Sequence, residues 1–178
     1  MTERLHPRAR QIVDAARDLL EQHGRDALTM RRVADRIGIR APSLYKHFPD
    51  KAAVEIVLIA DGLGEVATVL EAAEERTKRT GAAESLADLA TAYRSYALAH
   101  PHLYRLMTER PLPRDSLPAG LEDRAAAPLV RATGEEHLAR ATWAFAHGMV
   151  MLELAGRFPA DADLDATWRI GVRALLPR

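Results

Sequence analysis

The sequence predicts an all-α fold, on three observations. Alanine, leucine, arginine and glutamate are plentiful and β-branched residues sparse, which favours helix. Apolar residues recur three and four apart in segment after segment, the spacing of one buried helix face. The interruptions between those segments fall at glycines and prolines. With 48% hydrophobic residues the 178-residue chain can build a core. It has no cysteine, so disulfides and Cys-based zinc sites are excluded. The polar start MTERLHPRARQ is unlike a signal peptide, and no apolar stretch approaches the roughly 20 residues needed to span a bilayer. A cytoplasmic protein without a membrane partner is expected.

Taken in order, residues 1–6 read as an arm whose Arg4, with Arg8 and Arg10 beyond it, is either solvated or in reach of an anion. Pro7 suits the first turn of a helix to His23, with Ile12, Val13, Ala16, Leu19 and Leu20 as its stripe and Gly24 as its stop. Leu28 packs under a second helix, capped by Thr29 and carrying Met30, Val33, Ala34 and Ile37 on one face. Gly38 ends it and Ile39 plugs the turn. A third helix of about two turns spans Ala41–His47. Its Leu44, with Phe48 just beyond, points into the core, leaving Ser43, Tyr45, Lys46 and His47 outside. Asp50 caps a fourth helix from Lys51 to Lys78, with a stripe of Ala53, Ile56, Val57, Ala60, Leu63, Ala67 and Leu70, and Val66 at its edge. Gly62 and Gly64 predict a bend or a thin place for packing. Glu71, Glu74, Glu75, Arg76, Lys78 and Arg79 read as a solvated end.

Thr80-Gly81 is a break. A helix over Ala83–His100 follows, with Leu86, Leu89, Ala90, Tyr93, Tyr96 and Ala97 inward. Pro101 starts another, burying Leu103, Leu106 and Met107. Residues 111–120, PLPRDSLPAG, form a loop. Leu121–Thr133 is a helix interrupted or started at Pro128. Glu135–Arg157 is a long helix with an apolar, partly small-residue face of His137, Leu138, Ala141, Ala144, Phe145, Gly148, Met149, Leu152 and Ala155-Gly156. Small residues there let another helix approach closely. Asp161 or Asp163 caps a last helix to Leu176, carrying Leu164, Trp168, Ile170, Val172, Leu175 and Leu176.

The second and third helices have the spacing of a helix-turn-helix, whose second helix enters the major groove of DNA. Charge agrees: residues 1–51 hold eleven Lys/Arg against seven Asp/Glu, and residues 52–178 fourteen against eighteen. Hydroxyls, a cation and an imidazole on the exposed face suit phosphates. The run Gly38–Lys51, G-I-x-x-P-S-L-Y-K-H-F-x-x-K, resembles the DNA-binding signature of TetR-type transcriptional regulators, with Gly38, Leu44, Tyr45, His47, Phe48 and Lys51 in register. The run Trp143–Val150, WAFAHGMV, is similar to the W-x-x-x-H-G element in the C-terminal domain of one subgroup. With Y-x-x-Y-A-x-x-H-P-x-L-Y at Tyr93–Tyr104, the likeness covers nearly the whole chain.

The resemblance implies a helix-turn-helix domain at 1–51 and an effector-binding and dimerisation domain at 52–178. It implies a homodimer through the last two helices and a near-palindromic operator in double-stranded DNA. It also implies phosphate contacts from Tyr45, His47 and Lys51. Thr29 can add another from its helix start. Base contacts are expected from Arg31, Arg40, Ala41, Pro42, Ser43 and Lys46, because arginine pairs two donors with guanine and small apolar groups meet thymine methyls. Many family members place Ser or Thr where Arg40 stands; here the cation either contacts DNA or is solvated. Arg32 and Arg36 read as surface charges. An unknown small-molecule effector is expected, with Tyr93, Tyr96, Tyr104, Met107, Trp143, His147 and Met151 as pocket candidates; core packing is the alternative for each. No catalytic constellation, metal-ligand spacing or cofactor loop is visible, so catalytic residues, metals and cofactors are expected to be absent. The rival reading is a helical adaptor or ligand-binding protein without DNA binding.

Overall fold

The computed structural model describes residues 5–78 and 82–176. Nine α-helices are present among them: α1 (Pro7–His23), α2 (Met30–Arg36), α3 (Ala41–Leu44), α4 (Lys51–Thr77), α5 (Ala82–Ala99), α6 (Pro101–Thr108), α7 (Leu121–Thr133), α8 (Glu136–Leu154) and α9 (Leu164–Ala174). Single 3-10 turns occur at Arg25–Ala27 and Arg114–Ser116. No strand occurs among the described residues, so the fold is all-α. The expected arm residue Arg4, the end charge Arg79 and the break at Thr80-Gly81 lie outside the described residues. The chain packs as two compact units, one from Met1–Leu63 with His100–Leu121, the other from Gly64–Ala99 with Glu122–Arg178.

In the first unit, α1 buries the predicted stripe of Ile12, Val13, Ala16, Leu19 and Leu20, and Ala9 and Ala15 besides. Against it lie Leu28 and the α2 face of Met30, Val33 and Ala34. Thr29 caps α2, its hydroxyl accepting from the Arg32 N–H at 3.2 Å. Gly38 turns the chain at φ +68°, a left-handed conformation that glycine adopts without a Cβ clash. The Ile39 N–H then closes the end of α2 on the Ala34 carbonyl at 3.0 Å. The third helix is shorter than its sequence suggests. It ends at Leu44, whose carbonyl accepts from both His47 and Phe48, so residues 45–47 form a turn rather than a second helical turn.

Helix α4 starts at the Asp50 carboxylate, which accepts from Ala53 N–H at 2.8 Å. Its buried positions are Val54, Leu58, Ile59, Val66, Ala67, Leu70 and Ala73. The expected Ala53, Ile56, Val57, Ala60 and Leu63 are only half-buried. Apolar residues surround this helix, so periodicity alone misjudges the inward face by about one position. The helix runs uninterrupted through Gly62 and Gly64. Gly62 is the place where α6 docks: a Cβ there would lie 2.5 Å from Met107 Sδ and 3.2 Å from Leu103. The first turn of α6 has no side-chain cap of its own. Glu21 of α1 serves instead, accepting from the His102 and Leu103 N–H groups at 3.3 Å each.

Two ion pairs tie α4 to the preceding segment. Arg10 reaches Asp61 at 2.5 Å, and Arg25 grips Glu55 with two bonds of 2.9 and 2.7 Å. Glu55 is 8% exposed. Burial works against its charge, but the bonds and charge of Arg25, joined by Lys51, outweigh it and hold its pKa below the usual 4.5. The stability this contributes is complete above pH 4.5 and is lost as pH falls through the depressed value. Glu55→Gln is therefore expected to cost about 2 kcal/mol at pH 7. In urea titrations the deficit should shrink steadily below pH 4.5; a deficit constant down to pH 3 would contradict this account.

In the second unit, α5 buries Leu86, Leu89, Tyr96 and Ala97. Helix α7 runs straight through Pro128 instead of starting or breaking there. The carboxylates near the end of α4 are less solvated than expected. Glu71 holds Arg124 through two bonds of 2.8 and 2.6 Å, and Glu74 holds Arg131 through two of 2.6 Å. Helix α8 begins at Glu135, which accepts from the His137 and Leu138 N–H groups at 2.7 Å each. It ends at Leu154, three residues earlier than expected, because Gly156 turns left-handed.

The buried α8 face is Ala139, Thr142, Ala146, Met149 and Val150. His137, Ala141, Ala144, Leu152, Ala155 and Gly156, expected to pack, are exposed. Asp163, not Asp161, caps α9, accepting from Ala166 N–H at 2.8 Å. Trp168 and Val172 are buried, whereas Ile170 is 70% exposed.

One network joins α5, α8 and α9. Arg94 binds Glu153 at 2.8 and 3.1 Å and Asp165 at 2.6 Å, and its guanidinium lies 5.6 Å from the centre of the Trp168 ring. Trp168 donates its indole N–H to the other Glu153 oxygen at 2.6 Å. Beside it, Phe145 of α8 sits edge-on to Trp168 and directly over Gly171 of α9.

Candidate DNA-binding interface

The expected contact residues are spread from the start of α2, through α3 and the turn after it, to the start of α4. Tyr45 is 53% exposed, so its aromatic ring is not part of the core. Leu44 and Phe48 supply the core contact instead. Pro42, Lys46 and His47 are exposed; Ala41 and Ser43 are half-buried. Arg40 occupies the cap position of α3, makes no side-chain cap bond and is exposed. Thr29 is exposed while its hydroxyl serves as a cap, leaving one oxygen lone pair and the O–H for another partner.

Ion pairing sorts the cations of this unit. Arg10 is committed to Asp61, Arg25 to Glu55, and Arg36 to Asp18 at 3.2 Å with Gln22 beside it. Arg31, Arg32, Arg40 and Lys46 are exposed and form no ion pair among the described residues. Arg32 thus separates from Arg36, with which the sequence grouped it. Spacing could not show this, because the partner of Arg36 is on another helix. Lys51 differs from the rest of the contact set. Its ammonium donates to the Arg25 carbonyl at 3.0 Å and lies 3.4 Å from Glu55, so it also braces the start of α4. The His47 ring stacks on His6, with centroids 5.9 Å apart and planes at 23°.

The expected effector residues divide between the units. Tyr104 and Met107 are buried in the first. In the second, Trp143 donates its indole N–H to the Tyr93 hydroxyl at 3.1 Å and stacks on His147 at 5.8 Å. Burial of the His147 imidazole lowers its pKa from 6.5, favouring the neutral ring. Tyr96 donates to Glu65, a carboxylate the sequence reading did not single out, at 3.0 Å. Met151 is half-buried. None of the seven candidates lines the open groove of about 720 Å³ between α5 and α9, whose floor includes Ala87, Ala90, Trp168 and Val172. Among the described residues no group of three or more potential metal ligands converges, and no helix is long and apolar enough to cross a membrane.

Comparison with known proteins completes the picture. Residues 12–54 match the family model of bacterial regulatory proteins of the tetR family. Residues 86–175 match that of the tetracyclin repressor-like C-terminal domain. The uncharacterized HTH-type transcriptional regulator Rv0681 of Mycobacterium tuberculosis is 34% identical over 174 residues, covering 88% of this chain and 74% of that protein. The tetracycline repressor protein class A from transposon 1721 of Escherichia coli is 38% identical over 92 residues, half of this chain and 43% of that one. A solved structure of a protein of unknown function from Rhodococcus sp. RHA1 superposes with a TM-score of 0.78 at 25% identity, covering 98% of this chain and 96% of that one. Two family models along the chain and a relative matched over most of both lengths lead to one conclusion: the chain belongs to the TetR family of bacterial transcriptional regulators, which are DNA-binding proteins and not enzymes.

Proposed function

We propose that the chain is a cytoplasmic repressor that occupies a near-palindromic operator as a homodimer and leaves it when a small, largely apolar molecule binds. The observation that carries this reading is that Tyr45 is exposed and that four exposed cations of the same segment, Arg31, Arg32, Arg40 and Lys46, form no ion pair among the described residues. A folded domain that leaves these cations uncompensated, while pairing Arg10, Arg25 and Arg36, offers charge for a polyanion. In this reading residues 1–51 bind DNA and residues 52–178 dimerise and bind the effector. Tyr45, His47, Lys51 and Thr29 hold phosphates. Arg31, Arg40, Ala41, Pro42, Ser43 and Lys46 face the bases.

The dimer forms through α8 and α9. Exposed Trp143, Leu152 and Ile170 supply apolar surface, and Ala141, Ala144 and Gly148 permit close approach. Nothing lies within 4 Å of a Cβ built at Gly148. Two-fold symmetry of the protein then calls for two-fold symmetry in the operator. In this reading the W-x-x-x-H-G element marks a subgroup of the family, and its Trp143 and His147, with Tyr93, Tyr96 and Met151 of the same unit, are the proposed effector contacts. An effector releases DNA only by preferring the non-binding conformation.

Genomic DNA fragments selected by the purified protein, followed by a gel shift across a salt series, test this. Affinity should fall steeply with salt, with a log–log slope of about −0.9 per phosphate neutralised. Failure to select any specific fragment would favour the adaptor reading. Tyr45→Phe and Lys51→Ala should weaken binding to all duplexes alike, by roughly fivefold or more. Arg31→Ala should cost about 1–3 kcal/mol and relax preference at particular base pairs. Unchanged base discrimination would remove Arg31 from the reading face. Because Lys51 also braces Glu55, a thermal melt of its variant is needed alongside.

A further inference from the structure

His6, the residue just before α1, stacks on His47 at the recognition surface. His6 is held at its other edge too. It is the cap residue of α1, and its Nδ1 accepts from the Arg8 N–H at 3.3 Å. A neutral imidazole that accepts at Nδ1 carries its proton on Nε2, so the cap bond sets both the tautomer and the plane of the ring. His47, by contrast, stands just past the end of α3, in the turn closed on the Leu44 carbonyl, and its side chain is exposed. An exposed side chain on a turn samples several rotamers, and fixing one of them when DNA arrives costs conformational entropy.

We infer that His6 is a positioning residue for operator binding: its capped ring is the platform that holds the His47 imidazole in the orientation in which it donates to a phosphate. This rests on the regulator reading, and in particular on His47 as a phosphate contact. It adds a residue from the chain's arm that carries no DNA role in that reading. A platform acting through His47 serves every sequence alike, because phosphates are common to all of them. It has two signatures that direct contact by His6 lacks. A flat apolar ring should replace it, and its removal should matter only while His47 is present.

The test measures fluorescence anisotropy of two labelled duplexes, the fragment recovered by genomic selection and a mixed-sequence 30-base-pair control, at several salt concentrations. His6→Ala is expected to weaken both complexes about three- to tenfold. His6→Phe, which keeps a stacking ring, should stay within twofold of wild type. His6→Asn, which keeps a good cap but no ring, should behave like alanine and so separates stacking from capping. His47→Ala combined with His6→Ala should be no weaker than His47→Ala alone, the non-additivity expected when one residue works through the other. All these side chains are exposed, and melting temperatures should match wild type. Wild-type binding with an unchanged His6→Ala variant, losses that add, or failure of phenylalanine to rescue would each overturn the inference while leaving the regulator reading intact. A wild-type chain that binds neither duplex overturns both.

Discussion

Arg94→Ala is expected to destabilise the protein by about 3 kcal/mol, because it strands a buried carboxylate. Glu153 is 7% exposed at its side chain and accepts two hydrogen bonds from Arg94 and one from Trp168. With the guanidinium gone, only the Trp168 indole N–H still faces it among those bonds. Asp165, being exposed, simply returns to water, so its bond adds little. The loss from Glu153 is of a different kind: water cannot replace the partner without opening the junction of α5, α8 and α9. For a chain of this size the melting temperature should fall by roughly 6–12 °C. Arg94→Ala together with Glu153→Ala should recover part of the deficit, since no buried charge is then left unpaired. A single variant within about 1 kcal/mol of wild type, or a double variant worse than the single by a further full increment, would show that the network is not what holds the three helices.

Gly171→Val should be nearly as damaging, through steric overlap rather than charge. A Cβ at this position would lie 2.1 Å from Phe145 Cζ and 2.4 Å from Cε2. The ring cannot swing away freely, because its edge contact with Trp168 places it within a junction already crowded by Arg94 and Glu153. Overpacking of this kind costs about 1–3 kcal/mol, and valine, stiff at χ1, belongs at the upper end. Gly171→Ala should lose less, since alanine regains about 1 kcal/mol of helix propensity. Chemical denaturation should therefore rank wild type, alanine and valine in that order. Phe145→Ala should restore the valine variant relative to its own background. Equal stability of wild type and the valine variant would mean that α9 shifts to accept the side chain.

These two positions mark the limit of what the chain shows before it is folded. Helix starts at Thr29 and Asp50 and the turn at Gly38 were readable, with Asp163 one of two candidates for the last cap, because capping and left-handed turns are settled by residues a few places apart. The inward face of α4 was misjudged, since Ile56, Val57 and Leu63 compete with Val54, Leu58 and Ile59, and only the neighbouring helices choose between them. For α8 the expected stripe includes exposed residues, Ala141 and Leu152 among them, because small and apolar residues left on the surface have the same composition as those buried within the chain. The Arg94–Glu153 pair spans 59 positions, and no local pattern announces it. In the candidate interface, residue types and spacing pointed to the surface cluster around Tyr45. Pairing across helices was needed to set Arg32 apart from Arg36 and to find the second task of Lys51.

The cap that Glu21 places on the first turn of α6 limits how portable this DNA-reading module is. The unit containing the recognition helix is discontinuous along the chain, closed by a segment that begins at His100. A chimera that joins residues 1–51 to a foreign body would leave the Glu21 carboxylate with no helix start to cap and the Gly24 surface without the His102 ring it faces. Extending the cut to residue 63 adds Gly62 but still omits Leu103 and Met107, which close over it. The smallest exchangeable cassette is therefore two pieces of sequence. A graft should either carry residues 100–121 with the head or recreate at its new junction a helix start for Glu21 and a side chain to fill the hollow at Gly62.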